Sequence, residues 1–139
     1  MRRLFLVLTG AGFLVAGGTV SAHHSFSAEF DANRPVKLQG AVIKMEWINP
    51  HPWIHIEVKK GGKAEVWMIE ASAPNALIRR GFTKNSLPPG TVIIVEGYQA
   101  RDGALRVNGT DLTFPDGRKL FLGSSGTGAP YENRPEAKK

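Results

Sequence analysis

The sequence contains no cysteine among its 139 residues. Disulfides, cysteine nucleophiles, Cys-ligated zinc sites and iron–sulfur clusters are therefore excluded. It also has no glycine-rich phosphate-binding motif and no G-x-S-x-G nucleophile motif. Because no catalytic constellation is visible, the chain is not expected to be an enzyme.

Positive charge exceeds negative charge only modestly. Eighteen Lys and Arg face 12 Asp and Glu, for a formal net charge of +6, and hydrophobic residues make up 42% of the chain. This composition is ordinary for a globular protein and sufficient for a core, and the length predicts one domain. A modest basic surplus spread along the chain disfavours a nucleic-acid partner.

Long apolar runs are scarce, and the one at the start has the pattern of a secretory signal peptide. Two arginines follow the first residue, residues 4–15 are apolar, and small residues precede a cleavage position after Ala22. A membrane anchor is the alternative, but this run is shorter than the ~20 residues that a spanning helix needs. We expect residues 1–22 to be cleaved and the mature protein to be periplasmic or secreted, with no membrane span.

The mature chain alternates β-rich runs with turn signals. A Gly-Gly pair at residues 61–62 is typical of a hairpin, and Gly40 predicts a bend within the first strand. Pro74 in a first turn and Gly81 at the end delimit one short helix. The pattern predicts strands over residues 36–47, 53–58, 64–70, 91–98 and 104–114, with a short edge strand over 119–122.

This order of elements predicts an all-β fold. A long first strand, together with one short helix between strands three and four, is typical of a five-stranded OB-like barrel. A sandwich of similar strands is the alternative. We expect residues 23–122 to form this domain with an N-terminal arm held by Phe26 and Phe30. Residues 123–139 offer little to bury and predict a flexible tail.

All four histidines lie in two short clusters: His23, His24, His51 and His55. Cleavage after Ala22 would make His23 the N-terminus, where its amine and imidazole can chelate one metal ion. A second imidazole from His24 or His51 would complete a nitrogen-rich tetragonal set, which suits Cu(II). Cleavage one residue earlier would place His24 third, another arrangement for Cu(II) or Ni(II). The alternative is a polar start that binds metal only incidentally.

The other candidates have plainer alternatives. His51 lies between two prolines, which either hold a ligand in place or make an ordinary turn. His55 shares a strand face with Glu57, as a surface pair or as an outer-sphere partner of a metal site. Glu29 and Asp31 offer oxygen ligands but are expected on a solvated arm.

Five short motifs are each weak alone and specific together. They are His23-His24-Ser25-Phe26, Ala28-Glu29-Phe30-Asp31, Trp47-x-Asn49-Pro50-His51, Pro74-Asn75-Ala76-Leu77-x-Arg79-Arg80-Gly81 and Val95-Glu96-Gly97-Tyr98. With them the chain resembles, over residues 23–122, a family of small exported bacterial proteins classed as a domain of unknown function. The resemblance implies an exported β-domain with no assigned activity. Its pattern includes the His-His-Ser-Phe start and the Asn-Pro-His turn but not His55, so we favour His51.

The expected function is therefore binding. We expect a copper site built from His23, His24 and His51. The alternative is a metal-free interaction module of the cell envelope, whose partner is an envelope protein or a small ligand and whose histidines are structural.

Overall fold

The computed structural model describes residues 25–138, so the predicted signal peptide, His23 and His24 lie outside the described residues. Within this range the chain is mostly β-sheet. The elements are α1 (Phe26–Glu29), β1 (Phe30–Glu46), β2 (Trp53–Lys60), β3 (Lys63–Glu70), α2 (Pro74–Arg79), β4 (Val92–Ala100), β5 (Arg106–Thr113), β6 (Lys119–Phe121), and two 3-10 helices at Pro130–Asn133 and Pro135–Lys138.

The six strands form one sheet in the order β3-β2-β1-β4-β5-β6. β3 and β5 are the outer strands of the first five in this order, and a parallel pairing between them closes these five strands into a ring. All other neighbouring strands are antiparallel. The predicted helix, α2, lies between strands three and four. The mostly β class is confirmed, and the sixth strand corresponds to the predicted short edge.

The long first strand serves two neighbours. Its N-terminal part pairs with β4, its C-terminal part pairs with β2, and Ala41 pairs with both. At the preceding Gly40, a Cβ atom would lie 2.5 Å from the carbonyl oxygen of Glu57. Only glycine allows this approach. Gly40, where the sequence predicts a bend, thus lies where β1 passes from β4 to β2.

The main core fills the inside of this ring. Alternation along β2 buries Ile54, Ile56 and Val58, and α2 adds Leu77. The neighbouring Ile78 is 53% exposed and lies outside this core.

A second cluster buries side chains of residues 123–138, contrary to the expectation that residues 123–139 offer little to bury. Tyr131 is 3% exposed and packs edge-on against Phe121, with ring centroids 5.5 Å apart. Arg134 donates two hydrogen bonds to Asp111, at 2.7 and 3.0 Å. The sequence pattern misses this packing because isolated apolar residues on irregular segments have no periodicity. The full cluster consists of Phe26, Phe30, Ala100, Phe121, Ala129, Tyr131 and Ala137.

The N-terminal arm joins the same cluster. Phe26 and Phe30 are buried as predicted, at 4% and 3% exposed, although the segment forms a helical turn and the start of β1 rather than an irregular arm. The amide of Phe26 donates to the carbonyl oxygen of Thr127 at 2.8 Å. The beginning and end of the described chain are thus held side by side.

None of the helices within residues 25–138 is long and apolar enough to cross a membrane.

Candidate functional site

His51 lies in the loop between β1 and β2, directly after a cis peptide bond between Asn49 and Pro50. Its Nδ1 atom is 3.1 Å from the carbonyl oxygen of Ala71, which follows β3. A carbonyl oxygen only accepts, so Nδ1 carries the proton of this hydrogen bond. In the neutral imidazole, Nε2 is therefore the atom with the lone pair.

Glu70 faces that lone pair. Its Oε1 atom lies 3.9 Å from Nε2 of His51, and the two side chains are 14% and 17% exposed. Metal–nitrogen and metal–oxygen bonds of about 2.0–2.2 Å span at most ~4.3 Å between two donors. The separation therefore accommodates one ion between the two side chains. The sequence analysis did not identify Glu70, because only the fold brings it to His51.

Two further side chains fix the carboxylate of Glu70. Asn108 Nδ2 donates to Glu70 Oε2 at 3.1 Å, and the hydroxyl of Tyr131 donates to Asn108 Oδ1 at 2.9 Å. Burial raises the pKa of Tyr131, so its phenol stays a neutral donor. The Ser124 amide donates to the same hydroxyl at 3.3 Å. This chain of hydrogen bonds orients Glu70 from the tail of the protein.

His51, Glu70 and Asn108 line one small cavity together with Ser25, the first described residue. The space within it is about 10 Å³, roughly the ~10–15 Å³ needed for a single water-sized sphere. The cavity is thus the size of an ion and not of an organic molecule.

The position of Ser25 bears on the two histidines that lie outside the described residues. Residue 24 is bonded to Ser25 and residue 23 to residue 24, so in sequence both histidines directly precede a residue of the cavity wall. Residues 25–138 hold no group of three or more His, Asp or Glu side chains that could bind a metal.

The two acidic candidates of the arm, Glu29 and Asp31, lie in different surroundings. Glu29 lies in the wall of the same cavity as His51 and is only partly exposed. Asp31 accepts a hydrogen bond from the amide of Asn33 at 2.9 Å, which is a local turn contact. Of the pair, Glu29 has the position of a candidate ligand.

His55 belongs to a different part of the sheet. It is 8% exposed, and its Nε2 lies 3.3 Å from Oε2 of Glu46 on the neighbouring strand, without hydrogen-bond geometry. The hydrogen bond from Lys44, and then the proximity of His55, lower the pKa of Glu46. The carboxylate that His55 meets is thus Glu46, not the Glu57 that strand alternation suggests.

One comparison with known proteins gives a match. A family model described as "Family of unknown function (DUF6152)" matches residues 12–110, which include His51, Glu70 and Asn108. No curated protein matches the chain.

Proposed function

The chain belongs to this family of unknown function, and we propose that it is an exported protein, periplasmic or secreted, that binds copper. The metal is held by the amine and imidazole of His23, with His24 and His51 as further nitrogen donors. The observation that carries the proposal is the hydrogen bond from His51 Nδ1 to the carbonyl oxygen of Ala71. It leaves Nε2 as a ligand directed toward a cavity whose wall includes Ser25.

This arrangement is common at metal sites. A ligating histidine usually donates its second ring N–H to a carbonyl or carboxylate, which fixes the tautomer and the ring orientation. Glu70 adds one oxygen donor, itself held by Asn108. A set of several nitrogens with one carboxylate suits Cu(II), and with no cysteine in the chain there is no thiolate to compete.

We also propose that the closed ring of strands is an OB-like barrel. Three features support this: a long first strand shared by two neighbours, the pairing of β3 with β5, and α2 between strands three and four. In this fold the His51 loop joins the first two strands, a position that OB-type domains use for binding.

The other candidate function is a metal-free interaction module of the cell envelope that binds a protein or a small ligand. The observation that favours it is the separation of 3.9 Å between His51 and Glu70, which also fits a structural ion pair. Under this alternative the two side chains would hold the end of the sheet against the N-terminal arm, and the protein would function without copper.

The two candidates are distinguished by native export of the untagged protein. Its N-terminal residue is read by mass spectrometry, and its metal content is measured after purification. If the protein binds copper as proposed, the mature chain starts at His23 and carries near-stoichiometric copper, which is lost in His23→Ala. A start at His23 with no copper, and no tight uptake of added Cu(II), would leave the interaction module.

A further inference from the structure

A second cavity lies beside His51 and carries positive charge. It encloses about 350 Å³, and its wall includes His51, Asn75, Arg79, Arg80 and Ser125. This volume is at the lower end of the range for small-molecule sites, about 300–1,000 Å³. Arg79 and Arg80 both belong to the wall, and none of the described residues that line it is Asp or Glu.

Arg80 shows that this charge lacks a counter-charge within the described chain. Its Nη1 donates to the hydroxyl of Ser72 and to the carbonyl oxygens of Phe121 and Gly123, each at 3.1 Å. All three acceptors are neutral. Burial, and then the like charge of Arg79, lower the pKa of Arg80. A partly buried guanidinium is usually paired with an anion.

Three of the four arginines that follow Arg80 in the chain are paired with a carboxylate, and the exception is the exposed Arg101. Arg134 is paired with Asp111, Arg106 with Asp102 and Arg118 with Asp116. Neither Arg79 nor Arg80 has an ion pair to a carboxylate within residues 25–138. Arg79 and Arg80 therefore bring two cations without a carboxylate partner among the described residues to the wall of one cavity.

From this geometry we infer that the cavity beside His51 binds a small oxyanion, a carboxylate or a phosphate group. The planar guanidinium groups of Arg79 and Arg80 match either group with two parallel hydrogen bonds. The exposed side chains of Asn75 and Ser125 add neutral donors at the rim. The inference is independent of the metal proposal, because the cations and the cavity are present without any ion at His51.

Arg79 is the side chain to change. It is exposed and makes no hydrogen bond to another described residue, so Arg79→Gln should leave the fold intact. Arg80→Gln would also remove contacts that join α2 to Phe121 and Gly123, and a loss of binding there could reflect unfolding. Arg101→Gln, at another exposed arginine, is the matched control for net charge.

The experiment uses the mature protein, freed of metal, in 150 mM NaCl. Citrate and inorganic phosphate are titrated separately by calorimetry and by amide NMR. We expect one of them to bind saturably with one molecule per chain and to shift the amides of Asn75, Arg79 and Ser125. The affinity should fall at least tenfold in Arg79→Gln, recover partly in Arg79→Lys and stay unchanged in Arg101→Gln.

The two probes distinguish the sources of the anion. Binding of citrate alone assigns a carboxylate ligand, and binding of phosphate alone assigns a phosphate ligand. Failure of both to bind at millimolar concentration would overturn the inference. Equal weakening in Arg79→Gln and Arg101→Gln would overturn it too, because it would indicate attraction by net charge only. Neither result would bear on copper binding, since metal is absent throughout.

Discussion

The Nε2 atom of His51 faces the Oε1 atom of Glu70 at 3.9 Å, too far for a hydrogen bond. The opposite nitrogen is already engaged with the carbonyl oxygen of Ala71. The two side chains therefore present a nitrogen lone pair and a carboxylate oxygen toward one ion-sized space. Glu70 is held from behind by Asn108, so the arrangement is set before any ligand arrives.

Changing Glu70 to glutamine tests whether its charge serves the metal. Glu70→Gln keeps the shape and an oxygen for Asn108 but removes the negative charge. We expect the Cu(II) affinity to fall about tenfold, or about 1.4 kcal/mol, in a competition titration against a chelator of known affinity. The control is Glu57→Gln, an exposed position on β2, which should leave the affinity unchanged. Equal affinities in all three proteins would remove Glu70 from the site.

The hydroxyl of Tyr131 is expected to stabilise the protein through Asn108. Tyr131→Phe leaves the Asn108 side-chain oxygen and the Ser124 amide without this partner. Losing a buried hydrogen-bond partner costs about 1–3 kcal/mol. Urea unfolding followed by tryptophan fluorescence should show a decrease of this size in the free energy of unfolding. An unchanged midpoint would mean that the hydroxyl does not support the site.

The packing of the tail gives a larger expected effect. Tyr131→Ala removes the ring that packs on Phe121 in the second cluster. Truncating a large buried aromatic side chain costs about 3–5 kcal/mol, and calorimetry should show a matching drop in Tm. Arg101→Ala, at an exposed site, should change stability by no more than ~0.5 kcal/mol. If both variants melt together, residues 123–138 would behave as the flexible tail that the sequence predicts.

Gly40 is expected to be intolerant of a side chain. In Gly40→Ala the new Cβ would meet the carbonyl oxygen of Glu57 at 2.5 Å, so β1 and β2 would have to shift. Overpacking of this kind costs about 1–3 kcal/mol. Thermal unfolding should show the loss, and the exposed neighbour Gln39→Ala should show almost none. A stable Gly40→Ala protein would contradict the close approach of the two strands.

The strands and the helix follow from local patterns, and so sequence predicts them well. Gly-Gly marks the β2–β3 hairpin, and Pro74 and Gly81 delimit α2. The site depends instead on register. Glu70 pairs with Trp53 across β2 and β3, and the Ala71 amide donates to the Pro52 carbonyl oxygen, which brings His51 beside Glu70. No local pattern encodes a meeting across about twenty residues of chain.

The packing of the tail and the cavity lined by Arg79 and Arg80 could not be predicted from the sequence, for a similar reason. Tyr131 is one aromatic residue in a segment rich in glycine and proline, and its burial depends on where Phe26 and Phe121 come to lie. The adjacent Arg79 and Arg80 are an ordinary helix end in the sequence. Only the structure shows that they line a cavity whose described wall holds no Asp or Glu. The sequence does point to His51 as a candidate, because two prolines flank it in a turn.

We propose that His51 completes a copper site with the processed N-terminus. The most direct test is the Cu(II) affinity and electron paramagnetic resonance spectrum of the mature protein starting at His23, compared with His51→Gln and with His55→Gln as the matched control. We expect one Cu(II) per chain in a nitrogen-rich tetragonal field. In His51→Gln the affinity should fall at least tenfold, or about 1.4 kcal/mol, and the spectrum should show one fewer coupled nitrogen, whereas His55→Gln should change neither. An identical affinity and spectrum in His51→Gln would contradict it.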